Sequence, residues 1–265
     1  MTSDLASVRS VLFLPASNPR AIGHARESAA DLVILDLEDA VKPEDKDSAR
    51  SAAVEAVAEE WAMPVAIRIN SVGSEWHSLD IDAVARSKAQ YAVLPRSASG
   101  HLLRQVAEAV GKPVLAMVET ATGVVAAAEI AAESAALIAG TNDLRADLRI
   151  PPSRDRAALA TALQTIVLAA RAAGVPVFDG VFNDLEDLDG FAAECAEGRA
   201  FGFDGKTLIH PKQVEACNRA FSPSEAEIAR ARRLVEAYGG GAERFEGEMI
   251  ERMHVEAARR MLDRR

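Results

Sequence analysis

Short apolar runs recur along the whole chain, and segments with apolar residues three and four apart lie between most of them. The runs read as strands at Ser10–Ala16, Asp31–Leu37, Pro64–Asn70, Tyr91–Pro95, Pro113–Val118, Ala135–Ala139 and Pro176–Val181, with an eighth inside Phe201–Ile209. Asp31–Leu37 is almost continuously apolar, as expected of a parallel strand buried on both faces. Helical periodicity covers Pro19–Ala30, Asp45–Glu60, Leu102–Val110, the alanine-rich Gly123–Glu133, Arg154–Ala173 (ended by Gly174) and Leu185–Glu197. Eight strand–helix alternations of this kind predict a (β/α)₈ TIM barrel over residues 1–212. A doubly wound open sheet is the alternative, but no GxGxxG follows the first strand, which weakens a dinucleotide-binding version.

The pattern changes after His210. Ser222-Pro223-Ser224-Glu225 has the N-cap, proline and acidic first turn that open a helix, expected to run to about Ala237. Gly239-Gly240-Gly241 interrupts it, and Phe245–Arg265 reads as a final amphipathic helix with basic residues at its C-terminus. Residues 213–265 are therefore expected to form a C-terminal helical extension that packs on the barrel or on a neighbouring subunit.

A length of 265 residues suits a single barrel, and 49% apolar residues supply a large core. The net charge of −10 argues against a nucleic-acid partner or an anionic membrane, either of which needs a basic face. The two cysteines, Cys195 and Cys217, show no CxxC spacing and read as free thiols of a reducing compartment. Met1-Thr2-Ser3-Asp4 lacks a basic leader pattern and no apolar run approaches the ~20 residues that span a bilayer, so the expected location is cytoplasmic.

The candidate chemistry sits at strand ends. The second strand ends in Asp36-Leu37-Glu38-Asp39, the third in Arg68-Ile69-Asn70, the fourth in Pro95-Arg96 and the fifth at Glu119; Asp143 follows the sixth and Asp179 lies in the seventh. In a parallel barrel these ends converge on one mouth. Glu119 and Asp143, on successive strands, can hold one hard cation; Mg²⁺ commonly takes only one or two protein carboxylates. An arginine such as Arg68 suits a carboxylate partner. Each acidic group also has a plainer role as a helix cap, and Asp36 and Asp39 as structural ion-pair partners. Asp179 before Gly180 reads as a turn or supporting group, and His210 before Pro211 as a loop hydrogen-bonder.

The sequence resembles the citrate lyase β-subunit-like branch of the HpcH/HpaI aldolase superfamily, which includes malyl-CoA lyases. Seven stretches carry the resemblance in order: Arg9–Pro15, Asp36–Val41, Ile67–Asn70, Val118–Gly123, Gly140–Leu144, Gly202–Lys206 with Ile209–Pro211, and Ala220–Ser224. The resemblance implies a (β/α)₈ barrel and a Mg²⁺-dependent lyase. Such an enzyme cleaves a malyl-, citramalyl- or citryl-type thioester of CoA or an acyl-carrier protein into a 2-oxo acid and an acyl thioester. By matching position it implies Glu119 and Asp143 as Mg²⁺ ligands, Arg68 as the group that binds the 2-oxo acid carboxylate, and Glu38 behind the metal or orienting Arg68. Arg20 matches a basic position near the carrier's phosphates. Hydrolysis of a malyl-type thioester, or a binding subunit inactive on its own, would use the same groups.

Several positions depart from the family pattern: Ala16 replaces a glycine, Arg96 and His24 stand where lysine is frequent, and Glu251 replaces the aspartate of a Gly-x-Met-Ile/Val-Asp tail motif. In relatives that tail carboxylate enters the neighbouring subunit's site as an acid/base group. Glu251 in that role would protonate the enolate left by cleavage. It would also need a closed oligomer, which the resemblance suggests is a trimer or hexamer.

Overall fold

The eight apolar runs form eight parallel strands that pair in sequence order until the last hydrogen-bonds back to the first. The strands are β1 Ser10–Pro15, β2 Leu32–Asp36, β3 Val65–Arg68, β4 Tyr91–Leu94, β5 Val114–Val118, β6 Ala136–Ala139, β7 Val177–Asp179 and β8 Gly205–Leu208. The computed structural model describes residues 5–151, 153 and 155–263. Ten helices of the barrel unit follow the strands: α1 Pro19–Arg26, α2 Lys46–Ala58, α3 His77–Arg86, α4 Gly100–Val110, α5 Ala121–Val125, α6 Ala127–Ala132, α7 Thr141–Asp147, α8 Ala160–Ala173, α9 Leu188–Phe201 and α10 Val214–Phe221. Among the described residues no helix is long and apolar enough to cross a membrane.

Two apolar layers separate by strand parity. Leu32, Ile34, Ala66, Tyr91, Val93, Leu115, Ile138 and Phe178 fill the barrel interior. Their odd-phase neighbours, such as Val33, Leu35, Ile67, Ala116 and Leu137, pack against the helices. Each fully buried valine, leucine, isoleucine or phenylalanine among them contributes about 1.5–3 kcal/mol relative to exposure. Barrel closure also demands a glycine at the start of β8, because a Cβ on Gly205 would lie 2.2 Å from the Arg9 carbonyl oxygen.

Local chemistry sets the helix ends and explains where they depart from periodicity. Leu185–Glu197 is replaced by α9, because the Asp187 side chain accepts from Gly190 N–H and Gly202, at φ 97°, ends the helix. The segment Gly123–Glu133 divides at Ala126 into α5 and α6. The helix expected from Arg154 begins at Ala160 after a 3₁₀ turn at Ala157–Leu159; Arg154 itself lies outside the described residues. No periodicity announces α3, because one of its two buried positions is Asp80.

Residues from Ser222 onward form a second compact unit. It contains α11 Glu225–Ala237, β9 Glu243–Phe245, β10 Glu248–Ile250 and α12 Arg252–Asp263, with Ala231, Leu234, Ile250, Val255 and Ala258 as its core. Ser224 and Glu227 form a reciprocal capping box at α11. The expected helix from Phe245 is corrected here. Glu246 and Gly247 both have positive φ and turn the chain into a β9–β10 hairpin, as two-residue I′ loops do. The last helix starts only at Arg252, and Arg264 and Arg265 lie outside the described residues.

Charged residues of β7 and β8 point outward, towards the helices. Lys206 Nζ, fully buried, donates to Asp179 Oδ2 at 2.9 Å and Glu194 Oε1 at 2.7 Å, while Arg156 makes two bonds to Asp179 at 2.7 and 3.0 Å. Asp179 is therefore a supporting group in a buried ion cluster, and its Oδ1 also accepts from Gly180 N–H. Removing one partner of such a cluster strands a buried charge. Lys206→Met is expected to lower unfolding stability by about 3–5 kcal/mol, read from urea midpoints; a parent-like midpoint would mean that Arg156 alone satisfies Asp179.

Candidate active site

Strand parity also selects the side chains that reach the mouth. Asp36 continues the inward phase of Leu32 and Ile34, Arg68 that of Ala66, and Glu119 that of Leu115 and Met117. Register places Asp36 beside Arg68. The guanidinium donates through Nε to Asp36 Oδ1 at 2.6 Å and through Nη2 to Oδ2 at 2.5 Å, and it lies 5.1 Å above the Phe13 ring. Nη1 donates to Met117 Sδ at 3.7 Å and stands 3.0 Å from Glu38 Oε2, at an angle that leaves this oxygen without a hydrogen bond. Of the guanidinium's five N–H groups, three are used in this way (Nε, Nη2, Nη1). Arg68 also lines the cavity.

Asp36 also accepts from the backbone N–H of Glu38 and Ala40, which shapes the loop after β2. Lys46 completes that loop. Its buried Nζ donates at 2.7 Å to Leu37 O, Glu38 O and Asn70 Oδ1. Nothing in the periodicity distinguishes this lysine from an ordinary surface residue of a first helical turn.

Glu119 directly follows β5 and is 3% exposed. Its Oε1 accepts from Arg96 N–H at 2.6 Å, and Oε2 faces Gly140, where a Cβ would lie 2.3 Å away. Glycine at 140 is thus the space the carboxylate needs. Asp143, in the first turn of α7, has Oδ2 3.6 Å from Arg96 Nη1. Asp36, Asp39, Arg68, Glu119 and Asp143 share the lining of one cavity of 390 Å³. Arg20 and His24, on α1, line an adjoining groove of 800 Å³ that also meets Phe13, Leu14, Pro15 and Ile209. His210 accepts from Lys212 N–H at 3.1 Å and is a loop hydrogen-bonder. Glu251 lies at the exit of the tail hairpin in the second unit, where its N–H donates to His254 Nδ1.

The mouth carries more negative charge than its arginines offset. Burial pushes Glu38 up to about 8, against the pull of Arg68 and with help from Asp39, Glu119 and Asp36. Burial likewise pushes Glu119 up to about 7; the Arg96 N–H opposes this and Asp143 adds to it. Asp143 is raised by burial and by Asp39. Arg68 is forked onto Asp36, and Arg96 reaches Asp143 from solvent, so Glu119 and Asp143 present hard oxygen donors with little fixed positive charge beside them. Among the described residues no three His, Cys, Asp or Glu groups form a cage for a metal. A two-carboxylate set fits Mg²⁺, whose remaining positions go to substrate and water, and does not fit a structural zinc site.

Comparisons with known proteins show the family. The model of the HpcH/HpaI aldolase/citrate lyase family matches residues 9–211. A (3S)-malyl-CoA thioesterase of Cereibacter sphaeroides is 42% identical, over 96% of this chain and 93% of its own. The citrate lyase subunit beta of Escherichia coli is 32% identical, over 97% and 92% respectively. The protein CitE of Mycobacterium tuberculosis, solved in complex with magnesium, acetoacetate and coenzyme A, is 35% identical with a TM-score of 0.87, over 98% of this chain and 99% of that one.

The raised carboxyls link stability to pH. Folding lifts Glu119 and Glu38 from 4.5 to about 7 and about 8, so between these values the folded state binds more protons than the unfolded chain. The stability they contribute is complete below 4.5 and is lost as pH rises through about 7 and about 8. In EDTA, the melting temperature of the parent relative to Glu119→Gln should therefore fall between about pH 5 and 8. Mg²⁺, which needs ionised carboxylates, should restore it most at the upper end. A difference that rises with pH in EDTA would contradict this.

Proposed function

The chain belongs to the HpcH/HpaI aldolase/citrate lyase family, and on that premise we propose that it is a Mg²⁺-dependent carbon–carbon lyase. Its substrate in this reading is a malyl-, citramalyl- or citryl-type thioester, cleaved reversibly to a 2-oxo acid and an acyl thioester. The observation that carries the reading is the convergence of Glu119, Asp143 and Arg68 on one cavity beside a larger groove.

Glu119 and Asp143 would hold the cation, which when bound supplies Lewis-acid polarisation of a hydroxyl and charge stabilisation of the emerging oxo acid. Arg68 would take the substrate carboxylate through its guanidinium, in a plane fixed by Asp36. Glu38, with its carboxyl pushed up to about 8, stays largely protonated at neutral pH and leaves the Arg68 charge for the substrate. Arg20 would meet the phosphates of a CoA or acyl-carrier-protein arm lying in the groove. Glu251 from a neighbouring copy, in a trimer or hexamer, would protonate the departing thioester enolate.

A second reading, hydrolysis of the same thioester, is favoured by the 42% identity to proteins named (3S)-malyl-CoA thioesterase. Water would then attack the thioester carbonyl while the same residues held the acid end.

Product analysis separates the two. With malyl-CoA and Mg²⁺, the lyase reading expects glyoxylate and acetyl-CoA, and the hydrolase reading expects malate and free CoA. Glu119→Ala should lose roughly 100-fold or more in kcat/KM in either case. Glu251→Gln should lose turnover and keep oxo-acid binding. Malate without glyoxylate would replace the lyase reading, and no turnover of malyl-, citramalyl- or citryl-thioesters would contradict both.

A further inference from the structure

Arg96 touches both carboxylates of the proposed cation site, through two different donors. It follows β4 and Pro95 in the left-handed region, at φ 47°, a conformation non-glycine residues adopt sparingly. That conformation aims its backbone N–H at Glu119 Oε1, 2.6 Å away. Its guanidinium reaches over to Asp143, with Nη1 3.6 Å from Oδ2.

The two contacts differ in permanence. The backbone bond belongs to the turn and remains whatever the side chain. The guanidinium is 51% exposed and Asp143 38%, so the guanidinium can withdraw into solvent without disturbing the core. The other guanidinium at the mouth, Arg68, cannot do so, because it is buried and forked onto Asp36. Arg96 therefore carries the one displaceable positive charge among the described residues that contact Glu119 and Asp143. A divalent cation on Asp143 and a guanidinium within 4 Å of the same carboxylate repel each other.

We infer that Arg96 is a positioning residue whose side chain is the resident counter-ion of Asp143, competes with the cation for it, and thereby sets how tightly the site holds the cation. The inference rests on the reading of Glu119 and Asp143 as the cation site. Its consequence is conditional loading. Arg96 subtracts from cation affinity in the absence of substrate, whereas an anionic substrate adds to it, so the cation is held firmly only when substrate is present.

The test is calorimetric titration of Mg²⁺ into the parent, Arg96→Gly, Arg96→Lys and Glu119→Ala, each with and without oxaloacetate. Glycine accepts the positive φ and keeps the N–H to Glu119, so Arg96→Gly should fold, with a melting temperature at or above the parent's. Without oxaloacetate, Arg96→Gly should bind Mg²⁺ about fivefold or more tightly at low salt. The gain should shrink as salt rises, and Arg96→Lys should return affinity towards the parent. Mg²⁺ binding that depends on Glu119 but is unchanged or weaker in Arg96→Gly would overturn the inference and leave the site standing. Parent binding indifferent to Glu119→Ala would overturn the site and the inference together.

Discussion

The ion pair between Arg68 and Asp36 governs the chemistry of the barrel mouth. It arises from β2–β3 register, which sets the two side chains next to each other on the inward face of the sheet. In a buried setting the pair is fully bonded, and breaking it would leave an uncompensated charge. Its consequence reaches further than stability. Asp36 takes two of the Arg68 bonds, and Glu38, Glu119 and Asp143 share the mouth with Arg68 and Arg96. Burial raises the proton affinity of all three, and neighbouring carboxylates add to it. A hard cation would offset that charge, and a neighbour at 35% identity, the CitE of Mycobacterium tuberculosis, was solved with magnesium.

The same parity rule that builds the mouth also keeps a second charged cluster away from it. Thr207 points inward and lines the cavity, while its neighbour Lys206 points outward to Asp179 and Glu194. Polar side chains on one short strand thus divide between a cavity and a structural support. Against burial, Lys206 and Arg156 hold the Asp179 carboxyl below its usual range, whereas the carboxyls of Glu38, Glu119 and Asp143 at the mouth are raised, and this difference in charge balance separates scaffold from candidate chemistry.

Much of this was legible in the residues. The eight apolar runs carry strand positions directly, because a parallel strand is buried on both faces. Asp36, Arg68 and Glu119 stand at their ends, where a barrel brings them together. The tail hairpin is not legible there, because helical periodicity runs through Phe245–Ile250 and the turn rests on the positive φ of Glu246 and Gly247. Other features depend on contacts that no local pattern encodes. Helix α3 is masked by its buried Asp80, which bonds to Asn70 ten residues earlier. Lys46 reaches the loop after β2 only because α2 starts beneath it, and Arg96 meets Glu119 only through a positive φ and the β4–β5 register. The family stretches likewise carry the site but not the bond it breaks, since lyase and thioesterase chemistry can use the same groups.

The most direct measurement is calorimetric binding of oxaloacetate and glyoxylate to the parent and to Glu119→Ala, in Mg²⁺ and in EDTA. A cation site built on Glu119 and Asp143, with Arg68 as carboxylate receptor, predicts binding by the parent in Mg²⁺ that is lost in EDTA and lost in Glu119→Ala. Binding indifferent to both, or absent throughout, would contradict it and leave only the barrel fold and family membership standing.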